Sequence, residues 1–134
     1  RVAVLSGDTQ KTESVERFSK GADLLIHEAL NHDMVKLIQG PVKELSSPRL
    51  SKMLNDTINY HTSPVEAAEI AKAAGVKLLV YSHIVPPLPN AVSEKMFLRG
   101  VDAARGDADV KIGYDGMLIS LPAGSDKVEV SALR

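Results

Sequence analysis

The sequence predicts an α/β domain in which parallel strands alternate with helices. Three observations carry that expectation. Apolar runs over 2–5, 23–27 and 76–81 read as strands, and helical periodicity fills the segments between them. Ser63-Pro64-Val65-Glu66 joins a cap residue, a proline where its missing N–H costs nothing, and a glutamate three residues after the cap, which is a capping box. The last quarter reads strand, Asp115-Gly116, strand, the signature of a β-hairpin.

Taken in order, a strand over 2–5 runs into a tight turn at Ser6-Gly7-Asp8-Thr9. A helix over 12–20 follows, with Val15 and Phe18 facing inward and Gly21 stopping it. The second strand, 23–27, carries Leu24, Leu25 and Ile26 and delivers Glu28 just past its end. From 30 to 60 the pattern loosens into a short helix over 33–38, a Gly40-Pro41 break, and a helix over 48–58 striped by Leu50, Met53, Leu54 and Ile58. This stretch reads as an insertion, a lid or a partner surface. The capped helix from Pro64 presents Val65, Ala68, Ile70, Ala71 and Ala74 for close packing, and Gly75 ends it. The strand over 76–81 then brings His83 to the edge of an α/β sheet where ligands bind. Pro86, Pro87 and Pro89 force an extended loop; Ser93 caps a helix that buries Met96, Phe97, Val101 and Ala104. The terminal hairpin pairs 110–114 with 117–121, and 128–133 adds an edge strand.

The 134 residues are enough for one domain with a real core. Sixteen basic and 17 acidic residues give a net charge of −1, which supplies no electrostatic reason for a nucleic-acid-coating surface or an anionic membrane binder. No apolar run approaches the roughly 20 residues needed to cross a bilayer. The absence of Cys excludes a disulfide framework and a thiolate metal site, so any metal must sit on His and carboxylate groups. The sequence opens on Arg1 and goes directly into an apolar run, so a piece of a longer protein is expected, and the compartment, cytoplasmic or periplasmic, stays open.

Four residues at element ends are the chemical candidates: Asp8, Glu28, His61 and His83. Imidazole and carboxylate oxygen are the ligands a Cys-free divalent centre needs, and a bridging Asp can serve two ions. A glutamate beside a histidine orients the ring for charge stabilisation or for protonating a leaving group. Each also has a plainer reading. Asp8 can cap the following helix, Glu28 can be solvated, His61 can belong to the capping turn, and His83 can be a satisfied structural histidine. His27 and His32 are read as structural or surface residues.

Four short motifs, Ser6-Gly7-Asp8-Thr9, Asp23-Leu24-Leu25-Ile26-His27-Glu28-Ala29, His61-Thr62-Ser63-Pro64 and Leu78-Leu79-Val80-Tyr81-Ser82-His83, in that order resemble the C-terminal half of a metallo-β-lactamase-fold hydrolase of the ribonuclease Z-like branch. The resemblance covers nearly the whole chain. It implies a four-layer αββα sandwich, of which residues 1–134 contribute about the C-terminal half, one sheet with its outer helices. By match, Asp8 bridges two divalent ions and His83 binds the second, while Glu28 and His61 act together on the scissile group as the catalytic pair. Zinc is the expected metal, with manganese or iron as alternatives. The family's His-x-His-x-Asp-His cluster does not occur in these residues, so the N-terminal half of the fold is the expected partner. Leu30 stands where the family has Thr, Thr62-Ser63 reverses the usual order, and Ile84-Val85-Pro86-Pro87 replaces the aromatic and Arg of tRNA-processing members, which argues against tRNA as substrate.

The functional expectation is a metal-dependent hydrolase, a dinuclear enzyme acting on a phosphodiester, sulfate ester or related small-molecule ester, with a homodimer as an open assembly. The competing expectation is a non-catalytic α/β half-fold or interaction module without a complete metal site. A phosphate-binding protein using Asp8 and Thr9 at a helix start is a third, disfavoured because no Lys stands at a matching strand end.

Overall fold

The structure is a computed structural model that describes residues 1–45, 49, 52 and 56–133. Four parallel strands form the main sheet: β1 (Ala3–Leu5), β2 (Leu24–Leu30), β3 (Leu78–Val85) and β4 (Asp109–Ile112), in that spatial order. Leu24 pairs with Ala3 on one side and with Leu78 on the other, so the central two strands are flanked along their apolar runs. The side-chain period of two divides those runs between two cores. Leu25, Ala29, Leu79 and Tyr81 face helices; Leu24, Leu78 and Val80 face a second, two-stranded sheet.

The helix side holds α1 (Glu13–Phe18), α2 (His32–Leu45), α3 (Pro64–Ala73), α4 (Ala91–Phe97) and α5 (Val101–Arg105). α3 is the central one. Its capping box forms as expected, Ser63 receiving the Glu66 N–H and the Glu66 carboxylate returning to the Ser63 N–H at 2.9 Å. That carboxyl is held below its ordinary range because the Ser63 donors outweigh its partial burial. Ala67, Ala68 and Ala71 are fully buried, and these small side chains let the helix lie close on β2 and β3. Gly75, at φ +66°, turns the chain back into β3. Tyr81 meets Phe97 edge to face at 5.4 Å and donates its hydroxyl to Pro64 O at 2.6 Å, and burial raises its phenol well above the ordinary value.

On the other face, Met117 and Ile119 of β5 (Met117–Ser120) pack on Leu24, Leu78 and Val80, and β5 pairs antiparallel with β6 (Glu129–Ala132). Helices, parallel sheet and second sheet therefore form α, β and β layers. A terminal hairpin exists, but its strands are β5 and β6. The expected pairing of 110–114 with 117–121 does not form, because β4 joins the main sheet parallel to β3 and the Asp115-Gly116 turn carries the chain to the other layer. Gly113 permits this: its N–H donates to Tyr81 O at 2.8 Å, and a Cβ there would lie 2.5 Å from the same oxygen.

Other local expectations change. Phe18 is 69% exposed rather than inward, under the Arg17 guanidinium at 5.0 Å, because α1 stops after six residues and only Val15 reaches the core. The Gly40-Pro41 pair does not break a helix; α2 runs through it, docked by Met34 and Val35. Asn90, not Ser93, caps α4, with Ser93 closing the capping box from its third position. Met96 is exposed, while Phe97 and Val101 are buried. Of the helix expected over 48–58, the described residues, 49, 52 and 56–58, are helical; Leu50, Met53 and Leu54 lie outside the described residues. No helix among the described residues is long and apolar enough to cross a membrane.

Candidate metal centre

The site forms where β1 ends early and its neighbours continue. Ser6 N–H donates to Ile26 O at 3.0 Å, the last rung between β1 and β2. The next rung is replaced by a side chain: Glu28 N–H donates to Ser6 Oγ at 3.2 Å. Freed from the sheet, the chain turns through Gly7, at φ +60°, and presents Asp8 to solvent. Asp8 does not cap α1. Thr12 does, accepting the Val15 N–H.

Glu28 differs most from its expected setting. β2 continues to Leu30, so Glu28 lies inside the strand and is 1% exposed. Its Oε1 accepts the Thr62 N–H at 2.8 Å and lies 3.5 Å from the Thr9 N–H, and its Oε2 faces His61 Nδ1 at 3.0 Å. The neighbouring backbone closes the same space, with Leu30 N–H donating to Thr62 O and Thr62 Oγ1 donating to Thr9 O at 2.6 Å. One buried carboxylate thus joins the turn after β1, the body of β2 and the loop before α3. A carboxylate without such donors could not stay in that position.

His83 also lies within its strand rather than after it. Ser82 pairs with Glu28 and Ile84 with Ala29, which leaves His83 as the extra residue at a register shift. Its φ of +43° is the single positive value at a non-glycine residue, among the described residues, and it carries the side chain out of the sheet, half exposed. Pairing resumes at Ile84 and Val85, so the strand continues past the bulge.

These arrangements bring three candidates together. Asp8, His61 and His83 each place a ligand atom within 4.8 Å of the others. His83 Nε2 is 3.6 Å from Asp8 Oδ1, too long for a strong hydrogen bond, and the two imidazoles lie 5.7 Å apart at 41°. Two donors about 2.1 Å from one tetrahedral ion stand about 3.4 Å apart, so the Asp8–His83 separation fits shared coordination. His61 meets the carboxylate of Glu28 through Nδ1, which leaves Nε2 free, the arrangement in which an outer carboxylate orients a metal-binding imidazole. The donor set, one carboxylate and two imidazoles, suits a divalent ion of the zinc, manganese or iron type. The sequence reading assigned Asp8 and His83 to metal and His61 to catalysis; the geometry adds His61 to the ligand-forming group. It missed Ser6 and Thr62, whose roles as strand substitute and backbone donor leave no pattern in sequence. His32 remains outside the cluster. Beside His83 a cleft of about 360 Å³ opens between the sheets, walled by Ile26, Val80, Ile84, Met117 and Ile119 with Tyr114 at its edge.

No protein-family model matches the chain. It is 30% identical over 112 residues to a ribonuclease Z of Mycolicibacterium gilvum, covering 84% of this chain and 35% of that protein. To a ribonuclease Z of Mycobacterium tuberculosis H37Rv it is 31% identical over 112 residues, covering 84% and 36%. The chain therefore spans little more than a third of the length of these relatives. A crystal structure of the metallo-β-lactamase fold protein YhfI from Bacillus subtilis superposes with a TM-score of 0.56 at 21% identity, covering 96% of this chain and 39% of that one. With strands, layers and the Asp8, Glu28, His61 and His83 constellation in place, the chain belongs to the metallo-β-lactamase fold and is ribonuclease Z-like.

Proposed function

We propose that the chain is part of a metal-dependent hydrolase that cleaves a phosphodiester. The observation that carries the reading is the convergence of Asp8, His61 and His83 within 4.8 Å, with buried Glu28 behind His61. Asp8 and His83 hold the metal side of the site, and His61 beside them faces the substrate. Two divalent ions, zinc in first place, complete it together with ligands from an N-terminal half of the fold. A bound divalent ion supplies an activated water and polarises the substrate oxygen.

The residues of this chain have separate tasks. Glu28, fixed by Thr62 and Thr9, keeps the His61 ring in one orientation. A carboxylate accepts, so His61 Nδ1 carries the proton and Nε2 faces the reacting group. From there the ring donates a hydrogen bond when protonated and stabilises charge on the departing oxygen. Among the described residues, the cleft beside His83 is lined by apolar side chains, Ser82, Tyr114 and one acid, Asp115, and by no Lys or Arg. It receives the part of the substrate next to the scissile bond. The names of the relatives point to RNA as the phosphodiester; the net charge of −1 supports a reading in which further cations for its backbone come from a companion half or a second subunit.

The test is metal content together with hydrolysis of bis(p-nitrophenyl) phosphate and a sulfate ester by the full-length protein, in wild type and Asp8→Ala. About two ions per chain, phosphodiester turnover, and loss of both on substitution are expected. A full-length protein that binds no metal and turns over neither ester overturns the reading in favour of a non-catalytic module. Turnover of the sulfate ester alone corrects the substrate.

A further inference from the structure

We propose that His27, a fully buried histidine outside the metal cluster, is a positioning residue for the Glu28–His61 pair; this rests on the reading of that pair as part of the hydrolytic site. Because β1 stops at Leu5, the backbone of Glu28 has no strand partner on that side. In a parallel ladder the N–H and C=O of one residue point to the same neighbour, so both groups need substitutes. The Glu28 N–H finds Ser6 Oγ, and the Glu28 carbonyl accepts from the Nδ1 of its own predecessor, His27, at 2.7 Å.

That carbonyl belongs to the peptide between Glu28 and Ala29, where the register between β2 and β3 slips and His83 is expelled. Anchoring it fixes the plane from which the Glu28 side chain departs, at the level where β3 bulges. The His27 ring is 0% exposed and points toward the helix side, opposite the carboxylate of Glu28, so it can touch neither metal nor substrate. Its Nε2 is buried without a hydrogen-bond partner among the described residues, and burial lowers the ring's affinity for a proton. A leucine or phenylalanine would fill such a place without leaving a nitrogen unpaired. The donor at Nδ1 is what the imidazole adds.

The experiment compares wild type, His27→Asn and His27→Leu in the full-length protein. Asparagine keeps an N–H donor one bond from Cγ, as Nδ1 does, and leucine does not. One readout is the exchange-protected His61 Nδ1–H resonance in metal-free protein; the other is zinc affinity by chelator competition. His27→Asn is expected to keep the resonance, and His27→Leu to lose it and bind zinc about tenfold more weakly. A folded His27→Leu protein that keeps the resonance and the affinity overturns the proposal, and so does a folded His27→Asn protein that loses them. Should His27→Leu not fold, the His27→Asn result decides. Wild type that shows the resonance but binds no zinc fails the hydrolase reading and leaves the positioning test standing.

Discussion

Glu28 and His61 are 33 positions apart in sequence and 3.0 Å apart in space, Oε2 to Nδ1. The contact exists because the loop before α3 lies alongside β2 in the place β1 has vacated, tied down by the Thr62 N–H on the other carboxylate oxygen. Glu28 is therefore both a structural joint and the partner of a candidate catalytic ring, and these two roles separate under substitution.

Glu28→Gln keeps the volume but offers one acceptor where two are required. Its amide can take the Thr62 N–H or the His61 Nδ1–H, and its NH₂ then opposes the other donor in a buried site. A loss of about 1–3 kcal/mol is expected in urea unfolding, together with loss of hydrolysis.

Asp8→Ala is expected to do the reverse. Its side chain is 65% exposed and caps no helix, so thermal stability should change by no more than about 0.5 kcal/mol. Metal affinity should fall more than the roughly tenfold typical of an outer-sphere change. Chelator competition and melting curves on the same samples distinguish this from the helix-cap reading, which requires the opposite.

His27 gives a pH signature. Burial lowers its folded-state pKa, so below the unfolded value of about 6.5 the unfolded chain takes up a proton that the folded chain does not. Stability from this group is complete above that pH and declines as pH falls below it. The wild-type stability curve minus that of His27→Asn should isolate the decline; a difference independent of pH would contradict it.

Gly113→Ala places a methyl group 2.5 Å from Tyr81 O and forces β4 away from β3. The expected cost is about 1–3 kcal/mol by chemical denaturation, with increased amide exchange of the Gly113 N–H.

Asp23 provides a second pH test. Lys77 Nζ at 2.9 Å, the Val2 N–H at 2.8 Å and Arg1 at 3.0 Å hold its carboxyl well below the ordinary range. Its stabilisation is present above about pH 3.9 and is lost as pH falls toward the folded-state value. Asp23→Asn should lower stability at neutral pH and bring the acid-unfolding curve closer to wild type at low pH.

The elements that could be read from sequence were those with strong local codes. The capping box at Ser63 and Glu66, the small-residue face of α3, and the apolar runs of β2 and β3 each report conformation through neighbouring residues alone. Phe18 and Met96 misled because apolar character does not say which side of a short helix meets the core. The hairpin was misassigned because Asp115-Gly116 specifies a turn without specifying which strand the chain pairs with afterwards.

The sequence by itself determined the order of strands and helices and singled out four candidate residues, since capping, periodicity and turn chemistry act over a few positions and the motifs stand in fixed order. Tertiary structure decided what those residues became. Burial of Glu28 depends on where β1 stops, the outward reach of His83 depends on a bulge between β2 and β3, and the meeting of Asp8, His61 and His83 depends on two loops converging on that bulge. Pairing between distant strands sets these relationships, and the free energy of a nonlocal contact is shared by residues that carry no mark of each other in sequence.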